Sequence, residues 1–329
     1  MKFSVYVMGL IFLGGLARAS VDESPLLNSS SQVLETQSSS LQTLIDKRWN
    51  HGAVDCSNSD EPAIEVFRYD DHSFIFRQSK CSSFEAPFIY LLVGESEALV
   101  IDTGASDSAE VFPIYRTIKR LLDESSAGGA NKKITVIHSH SHRDHRAGDQ
   151  QFESDPKVTV IAPNTKAIKR FFDFENRENG EMIFDLGDRS VTVFAVPGHH
   201  QDSIAIYDST TRWLLTGDTF YPGYIYIKDW QAYRESISRI FDFTQRQPVS
   251  AILGTHIEMT REPGEYYPIG SLYQPNEASL VLTVQDLQQL QQSLETQKKP
   301  APLVFDKFVV APLSGLQKVV GGILGWFVD

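Results

Sequence analysis

The chain has 329 residues, of which 41% are hydrophobic and 22% are charged, a composition typical of globular domains and unlike that of a chain that stays unfolded. Lysine and arginine total 30 against 42 aspartate and glutamate residues, so the formal net charge is −12. Because this charge repels phosphate backbones, we expect no nucleic acid partner.

Residues 1–19 predict a secretory signal peptide. One early cation, Lys2, precedes an apolar run from Phe3 to Leu16, and Ala17-Arg18-Ala19 supplies the small residues of a cleavage site. A membrane anchor is the alternative, but the apolar run is shorter than the roughly 20 residues that a spanning helix needs. We therefore expect a secreted or periplasmic protein.

Residues 20–60 are expected to form a serine-rich leader and an N-terminal extension. Asn28 begins an Asn-Ser-Ser triplet, which is a glycosylation acceptor in a host that glycosylates. Cys56 and Cys81 are the only two cysteines. An oxidising compartment favours their pairing, so we predict one disulfide, with two separate buried thiols as the alternative.

The middle of the chain repeats one theme, a short apolar strand that ends in a polar loop. Strands are predicted at 63–69, 73–77, 87–93, 98–101, 134–137, 158–162, 191–196, 204–207, 213–215 and 249–253. Helices are predicted at 41–49, 109–122, 165–172, 232–241 and 277–296. This alternation predicts a layered α/β architecture, in which side chains at the strand ends converge on a site.

The loop that follows the predicted strand 134–137 carries a dense group of metal-type ligands. His140, His142, Asp144 and His145 place three imidazoles and one carboxylate within six residues. Four such groups on one loop can serve two adjacent divalent ions. A solvated polar loop is the better interpretation of any single histidine, but not of a complete HxHxDH pattern.

This loop, together with the strand ends that precede and follow it, resembles the sequence pattern of the metallo-β-lactamase superfamily. An Asp102-Thr103-Gly104 strand end precedes it, and strand ends with His199, Asp218 and His256 follow it, so that the resemblance covers about residues 88–260. The resemblance implies an α/β fold, a four-layered αββα sandwich at 61–262, with a C-terminal helical extension at 263–329.

The resemblance also implies a role for each residue. His140, His142 and His199 match the ligands of a first metal ion, and Asp144, His145 and His256 match those of a second. Asp218 matches a carboxylate that bridges both ions in hydrolase branches of the superfamily. Asp102 matches a residue that orients the ligand loop through hydrogen bonds. His200 departs from the pattern of glyoxalase II-like sequences, which usually carry Thr at this position, and it is expected to shape the pocket.

Two divalent ions at such a site predict hydrolysis of a small-molecule substrate. Ions that share a water molecule lower its pKa and polarise a substrate carbonyl. Asp144 is expected to hold the remaining proton of the nucleophile. Zinc is the metal that these ligand types favour, and iron or manganese also occupy sites of this kind.

Asp218 indicates which branch of the superfamily this chain resembles. The ligand set resembles glyoxalase II thioesterases, so we expect an ester-type substrate, namely a carboxylic ester, lactone or thioester. β-Lactam hydrolysis is an alternative that export favours, but zinc β-lactamases carry Cys or Ser at the position of Asp218. The negative net charge of the chain disfavours a phosphodiesterase. The complete ligand set argues against a binding module that holds metal without catalysis.

Two further features have competing interpretations. Tyr221 lies three residues after Asp218, the spacing at which lactone-hydrolysing members carry a tyrosine that hydrogen-bonds the substrate oxygen. An aromatic wall residue explains Tyr221 equally well. Residues 314–329 carry an apolar stripe at helical spacing, for which docking on the sandwich is expected and weak membrane-surface contact is the alternative.

Overall fold

A computed structural model of the chain describes Met1 and residues 38–124, 132–176 and 180–314. The chain divides into two compact units, Met1–Ser38 and Ser39–Asp329. The predicted signal peptide, Asn28 and the apolar stripe of the tail lie outside the described residues. Among the described residues, no helix combines the length and the apolarity that crossing a bilayer requires.

The first of two large sheets is built from the N-terminal half of the chain. Its strands are β1 (Ile64–Arg68), β2 (Ser73–Gln78), β3 (Phe88–Val93), β4 (Glu97–Ile101), β5 (Lys133–Ile137) and β6 (Val158–Val160). They lie in the order β1-β2-β3-β4-β5-β6. Strands β1 to β4 pair antiparallel, whereas β4, β5 and β6 run parallel.

The second large sheet has six strands in the order β13-β12-β10-β9-β8-β7. These are β7 (Glu181–Asp185), β8 (Ser190–Ala195), β9 (Ile204–Asp208), β10 (Trp213–Gly217), β12 (Ala251–Gly254) and β13 (Val281–Leu282). A small third sheet joins β11 (Tyr224–Ile227), β15 (Val309–Pro312) and β14 (Leu303–Val304), in that order.

Helices lie before, between and after the strands. Residues 38–46 form α1, and the others are α2 (Ile114–Glu124), α3 (Arg143–Arg146), α4 (Thr165–Phe172), α5 (Trp230–Arg246) and α6 (Val284–Thr296). Helix α6 begins later than the predicted residue 277, because Thr283 and Asp286 form a reciprocal capping box at its N-terminus. Residues 281–282 before it belong to β13.

Three apolar clusters define the layers. One contains Tyr90 of the first sheet together with Leu215 of the second, so the two sheets pack face to face. The outer face of the first sheet packs on Ile118 of α2. The outer face of the second packs on Ile237 of α5 and Leu290 of α6. The predicted four-layered αββα sandwich is therefore confirmed.

The described part of the predicted C-terminal extension is integrated with the sandwich. Strand β13 pairs with β12 of the second sheet, and β15 pairs in parallel with β11. Helix α6 covers the second sheet beside α5. Residues 281–312 thus contain strands as well as the expected helix.

Candidate metal centre

The predicted ligands follow strands whose carboxyl ends share an edge. Strands β4 and β5 run parallel, so Asp102 and the histidine-rich loop leave the first sheet at the same edge. In the second sheet, β8 and β10 both pair antiparallel with β9, and β12 pairs parallel with β10. Strands β8, β10 and β12 therefore run in the same direction. His199, Asp218 and His256 follow these three strands.

A first group of ligands joins the two sheets. His140, His142, His199 and Asp218 are all buried, and their candidate ligand atoms lie within 4.8 Å of one another. The Nδ1 atom of His142 lies 2.8 Å from Nε2 of His140 and 3.2 Å from Nε2 of His199. Three nitrogen atoms therefore converge on one position.

A second group lies beside the first. Asp144, His145 and His256 also place their ligand atoms within 4.8 Å of one another. The Oδ2 atom of Asp144 lies 3.1 Å from Nε2 of His145 and 3.3 Å from Nε2 of His256. The two groups contain the residues that the sequence predicts as ligands of a first and of a second metal ion, and Asp218 belongs to the first group.

The carboxylate of Asp218 faces both groups. Its Oδ2 lies 3.5 Å from Nε2 of His199 and 3.6 Å from Nε2 of His145. Its Oδ1 lies 3.4 Å from Nε2 of His256 and accepts a hydrogen bond from the Thr255 hydroxyl. The carboxylate of Asp218 therefore lies between the two groups.

Several ligand imidazoles are held by a hydrogen bond through the nitrogen that points away from the centre. Nδ1 of His199 lies 2.8 Å from the carbonyl oxygen of Tyr226, and Nδ1 of His256 lies 2.9 Å from that of Glu85. Nδ1 of His145 lies 2.9 Å from Oδ2 of Asp102. Such partners fix the tautomer and aim Nε2 at the centre.

The electrostatics of the first group favour neutral imidazoles, which is the protonation state in which histidine binds a metal ion. Burial, together with the neighbouring imidazoles, lowers the pKa of His142 to about 2 and the pKa of His140 well below its ordinary value. Burial also lowers the pKa of His199 to about 4. These three side chains stay unprotonated at neutral pH.

The second group has the opposite balance, because Asp144, Asp218 and Asp102 all lie close to its imidazoles. Burial lowers the pKa of His256, but Asp218 and Asp144 outweigh burial and raise it to about 9. Burial raises the pKa of Asp144, but His145 outweighs it and holds the pKa well below its ordinary value. The carboxylates at the centre are therefore ionised.

The donor set fits divalent cations. Imidazole nitrogens and carboxylate oxygens are the ligands that zinc and similar ions use. Nε2 of His145 is buried and makes no well-aligned hydrogen bond, although Oδ2 of Asp144 lies 3.1 Å away and buried polar atoms are nearly always paired. A cation bound at the second group would satisfy this nitrogen.

His200 and Tyr221 lie beside the centre. The ring of His200 lies 4.9 Å from that of His142, and its Nδ1 pairs with Asp202. The ring of Tyr221 lies 5.7 Å from that of His256, but its hydroxyl donates to the carbonyl oxygen of Tyr224 at 3.0 Å.

Some neighbours of the centre were not predicted from the sequence. Glu85 and Tyr226 act through backbone carbonyls, which carry no side-chain signature. Asp202 accepts a hydrogen bond from the backbone of Ser141 at 3.2 Å, and Nζ of Lys228 lies 3.2 Å from Nε2 of His142. Asp202 follows His200 by two residues and could have been found by inspecting that histidine for a partner.

Comparison with known proteins identifies the family. The family profile described as "Metallo-beta-lactamase superfamily" matches residues 83–292. An acyl-coenzyme A thioesterase MBLAC2 from Homo sapiens is 28% identical, over 47% of this chain and 63% of its own length. A hydroxyacylglutathione hydrolase from Dechloromonas aromatica (strain RCB) is 32% identical, over 42% of this chain and 46% of its own length. The chain thus spans less than two thirds of either relative.

Among solved structures, the DIM-1 metallo-β-lactamase exposed to ceftazidime matches 72% of this chain and 99% of its own, with 12% identity and a TM-score of 0.47. The profile match extends through both ligand groups and into α6. The chain belongs to the metallo-β-lactamase superfamily.

Proposed function

We propose that the protein is a hydrolase that uses two divalent metal ions, zinc by preference, to cleave an ester-type bond, with a thioester as the first candidate substrate. The observation that carries the proposal is the position of Asp218. One of its carboxylate oxygens, Oδ2, faces both ligand groups, and the other, Oδ1, faces the second group. A site for a single ion has no need of such a carboxylate.

Divalent ions bound there would supply Lewis acidity, which lowers the pKa of water towards neutrality and polarises a carbonyl oxygen. The chain's own residues have separate tasks. The ionised carboxylate of Asp144, whose side chain is 19% exposed, can accept a hydrogen bond from the attacking water and orient it. Asp102, Glu85 and Tyr226 keep the imidazoles from rotating.

The preference for a thioester is supported by the names of two relatives, an acyl-coenzyme A thioesterase and a hydroxyacylglutathione hydrolase. The family resemblance implies that Asp218 stands where zinc β-lactamases carry Cys or Ser, which disfavours β-lactam cleavage. Export is part of the proposal, because the Cys56–Cys81 disulfide is of the kind that persists in oxidising compartments.

Metal removal and replacement test the proposal. The purified full chain is stripped with a chelator, and Zn²⁺, Fe²⁺ or Mn²⁺ is returned in measured amounts before assay on a panel of acyl thioesters, carboxylic esters, lactones and nitrocefin. We expect thioester turnover to vanish without metal and to return after about two equivalents. His72→Ala, which changes an exposed histidine outside both groups, is the control. Turnover that persists without metal would contradict the proposal.

A further inference from the structure

Residues 79–86, here called the Cys81 loop, connect β2 to β3 and link the disulfide to the metal centre. Cys81 is bonded to Cys56, which begins a short turn of 3-10 helix at Cys56–Asn58. Four residues after Cys81, the carbonyl oxygen of Glu85 lies 2.9 Å from Nδ1 of His256. One short segment therefore contacts both the disulfide and a candidate metal ligand.

The Cys81 loop is internally cross-linked by hydrogen bonds. The backbone N–H groups of Ser82 and Ser83 donate to the carbonyl oxygen of Ser79 at 3.0 and 3.2 Å, and Ala86 donates to Ser83 at 3.1 Å. The ammonium group of Lys80, a residue that is 2% exposed, donates to the carbonyl oxygen of Phe84 at 3.1 Å. These bonds span the loop from Ser79 to Ala86, so Cys81 and Glu85 lie within one hydrogen-bonded segment.

The other side of the disulfide is anchored as well. The carboxylate of Glu61 accepts hydrogen bonds from the backbone N–H groups of His51 and Gly52 at 3.1 Å. Gly52 has a φ of +78° and packs so closely that an added Cβ would lie 2.9 Å from Cβ of Lys80. The disulfide thus joins the Cys81 loop to a folded segment that already packs against it.

We propose that the Cys56–Cys81 disulfide is a positioning element for His256 and thereby sets the metal affinity of the second group, Asp144, His145 and His256. The proposal rests on the two-metal function proposed above. With the loop restrained, the carbonyl of Glu85 fixes the ring of His256, whose Nε2 then lies 3.3 Å from Asp144 and 3.4 Å from Asp218. Without the disulfide, the loop gains conformational freedom and the ring loses its fixed orientation.

The test compares the two metal groups within one protein. The Cys56→Ser/Cys81→Ser variant and the wild type are titrated with Zn²⁺ in competition with a chromophoric chelator. We expect affinity at the second group to fall by about tenfold, the lower range for loss of a partner that orients a ligand. Affinity at the first group should stay within about twofold, because the ring of His199 is fixed by the carbonyl of Tyr226 and not by that of Glu85.

Glu65→Gln is the matched control. Glu65 pairs with Lys47 and accepts from the backbone of Asn50 at 2.6 Å, so its loss loosens the N-terminal extension without touching the Cys81 loop. Both affinities should remain at the wild-type value in this variant. Equal weakening of both groups in the double variant, or no change in either, would overturn the proposal.

A second readout needs no metal and separates this proposal from the two-metal function. In ¹⁵N-histidine NMR spectra of the metal-free full chain, the Nδ1–H signal of His256 should be protected in the wild type and lost in the double variant. The Nδ1–H signal of His199, bonded to Tyr226, should be retained in both. If the wild type binds a single ion, the two-metal function fails, while these spectra still decide whether the disulfide positions His256.

Lys80→Met covers the case in which the double variant does not fold. It keeps the disulfide but removes the hydrogen bond to Phe84 inside the Cys81 loop. We expect the same selective weakening of the second group, smaller than in the double variant. An unchanged second group in a folded Lys80→Met protein would count against transmission through the loop.

Discussion

Oδ2 of Asp102 lies 2.9 Å from Nδ1 of His145, and both residues are fully buried. The other oxygen of Asp102 accepts a hydrogen bond from the backbone N–H of Ser139 at 2.7 Å. One carboxylate therefore holds an imidazole of the second group and the start of the ligand loop together. The backbone of Asp102 lies in the left-handed region, with a φ of +69°, which Asp and Asn adopt more readily than most residues.

Asp102→Asn should weaken metal binding without unfolding the protein. Asparagine tolerates the backbone conformation but cannot supply the negative charge that orients and polarises His145. We expect Zn²⁺ affinity at the second group to fall by about 10- to 100-fold, measured by chelator competition. Asp149→Asn is the control, because Asp149 pairs with His138, which belongs to neither ligand group. Equal losses in both variants would contradict a specific role for Asp102.

Tyr221→Phe should affect stability more than turnover. The hydroxyl of Tyr221 donates to the carbonyl oxygen of Tyr224 at 3.0 Å and lies 3.3 Å from Oε2 of Glu258. Burial, and then the charge of Glu258, raise the pKa of Tyr221 well above its ordinary value, so the hydroxyl keeps its proton. Removing it leaves buried acceptors without this donor, at a cost of about 1–2 kcal/mol in the free energy of unfolding.

Turnover of Tyr221→Phe should remain within about threefold of the wild type, a change of under ~1 kcal/mol in the activation barrier. Tyr233→Phe is the matched control, because its equally buried hydroxyl donates to the carbonyl oxygen of Thr219 at 3.0 Å. A fall in kcat of about 100-fold or more for Tyr221→Phe, with metal content unchanged, would instead establish the predicted catalytic role.

Asp208→Asn should show how the stabilisation of the fold by a buried ion pair depends on pH. Arg189 donates two hydrogen bonds to Asp208, each 2.7 Å long, and both residues are buried. Burial raises the pKa of Asp208, but Arg189 outweighs burial and holds it below the ordinary value. The pair therefore stabilises the fold fully above the unfolded-state pKa of about 3.9, and this stabilisation is lost as the pH falls through the folded-state pKa.

At pH 7 the variant should lose about 3–5 kcal/mol in the free energy of unfolding, because Arg189 remains buried without its counter-charge. The difference in the free energy of unfolding between variant and wild type should become smaller as the pH is lowered below about 4, because the wild type then loses the stabilisation from its ion pair. Denaturant unfolding at several pH values measures both quantities. Asp71→Asn, at an exposed position, should show neither effect. A deficit that is the same at every pH would refute the role assigned to the charge.

The layered α/β architecture and the convergence of the strand ends could be predicted from local pattern, whereas the four-layered sandwich and the grouping of the ligands followed from the resemblance to the metallo-β-lactamase superfamily. Apolar runs that end in His or Asp mark strands whose ends converge, and residues 165–172 form a helix at the predicted bounds. Strands β7, β11, β13, β14 and β15 were not predicted. Strand β7 is only half-buried, with polar residues at both ends, and β11 lies in an aromatic stretch that also fits a pocket wall.

Contacts between distant backbone atoms could not be predicted in this way. The hydrogen bond between His256 and the carbonyl of Glu85 joins residues 171 positions apart, and a carbonyl oxygen is the same in every residue. The pairing of β15 with β11 depends likewise on tertiary packing, since Val309–Pro312 is a short apolar run without a distinctive period. The disulfide was predictable because only two cysteines exist and only one pairing is possible.

The proposed role of Asp218, which is to bridge two metal ions, is tested by the metal content of purified Asp218→Ala together with its thioester turnover. Losing the shared carboxylate should reduce bound metal from about two ions per chain to one or fewer and lower kcat/KM by at least about 1000-fold. His72→Ala should retain both. An Asp218→Ala protein that still binds two ions and hydrolyses thioesters at the wild-type rate would contradict the account.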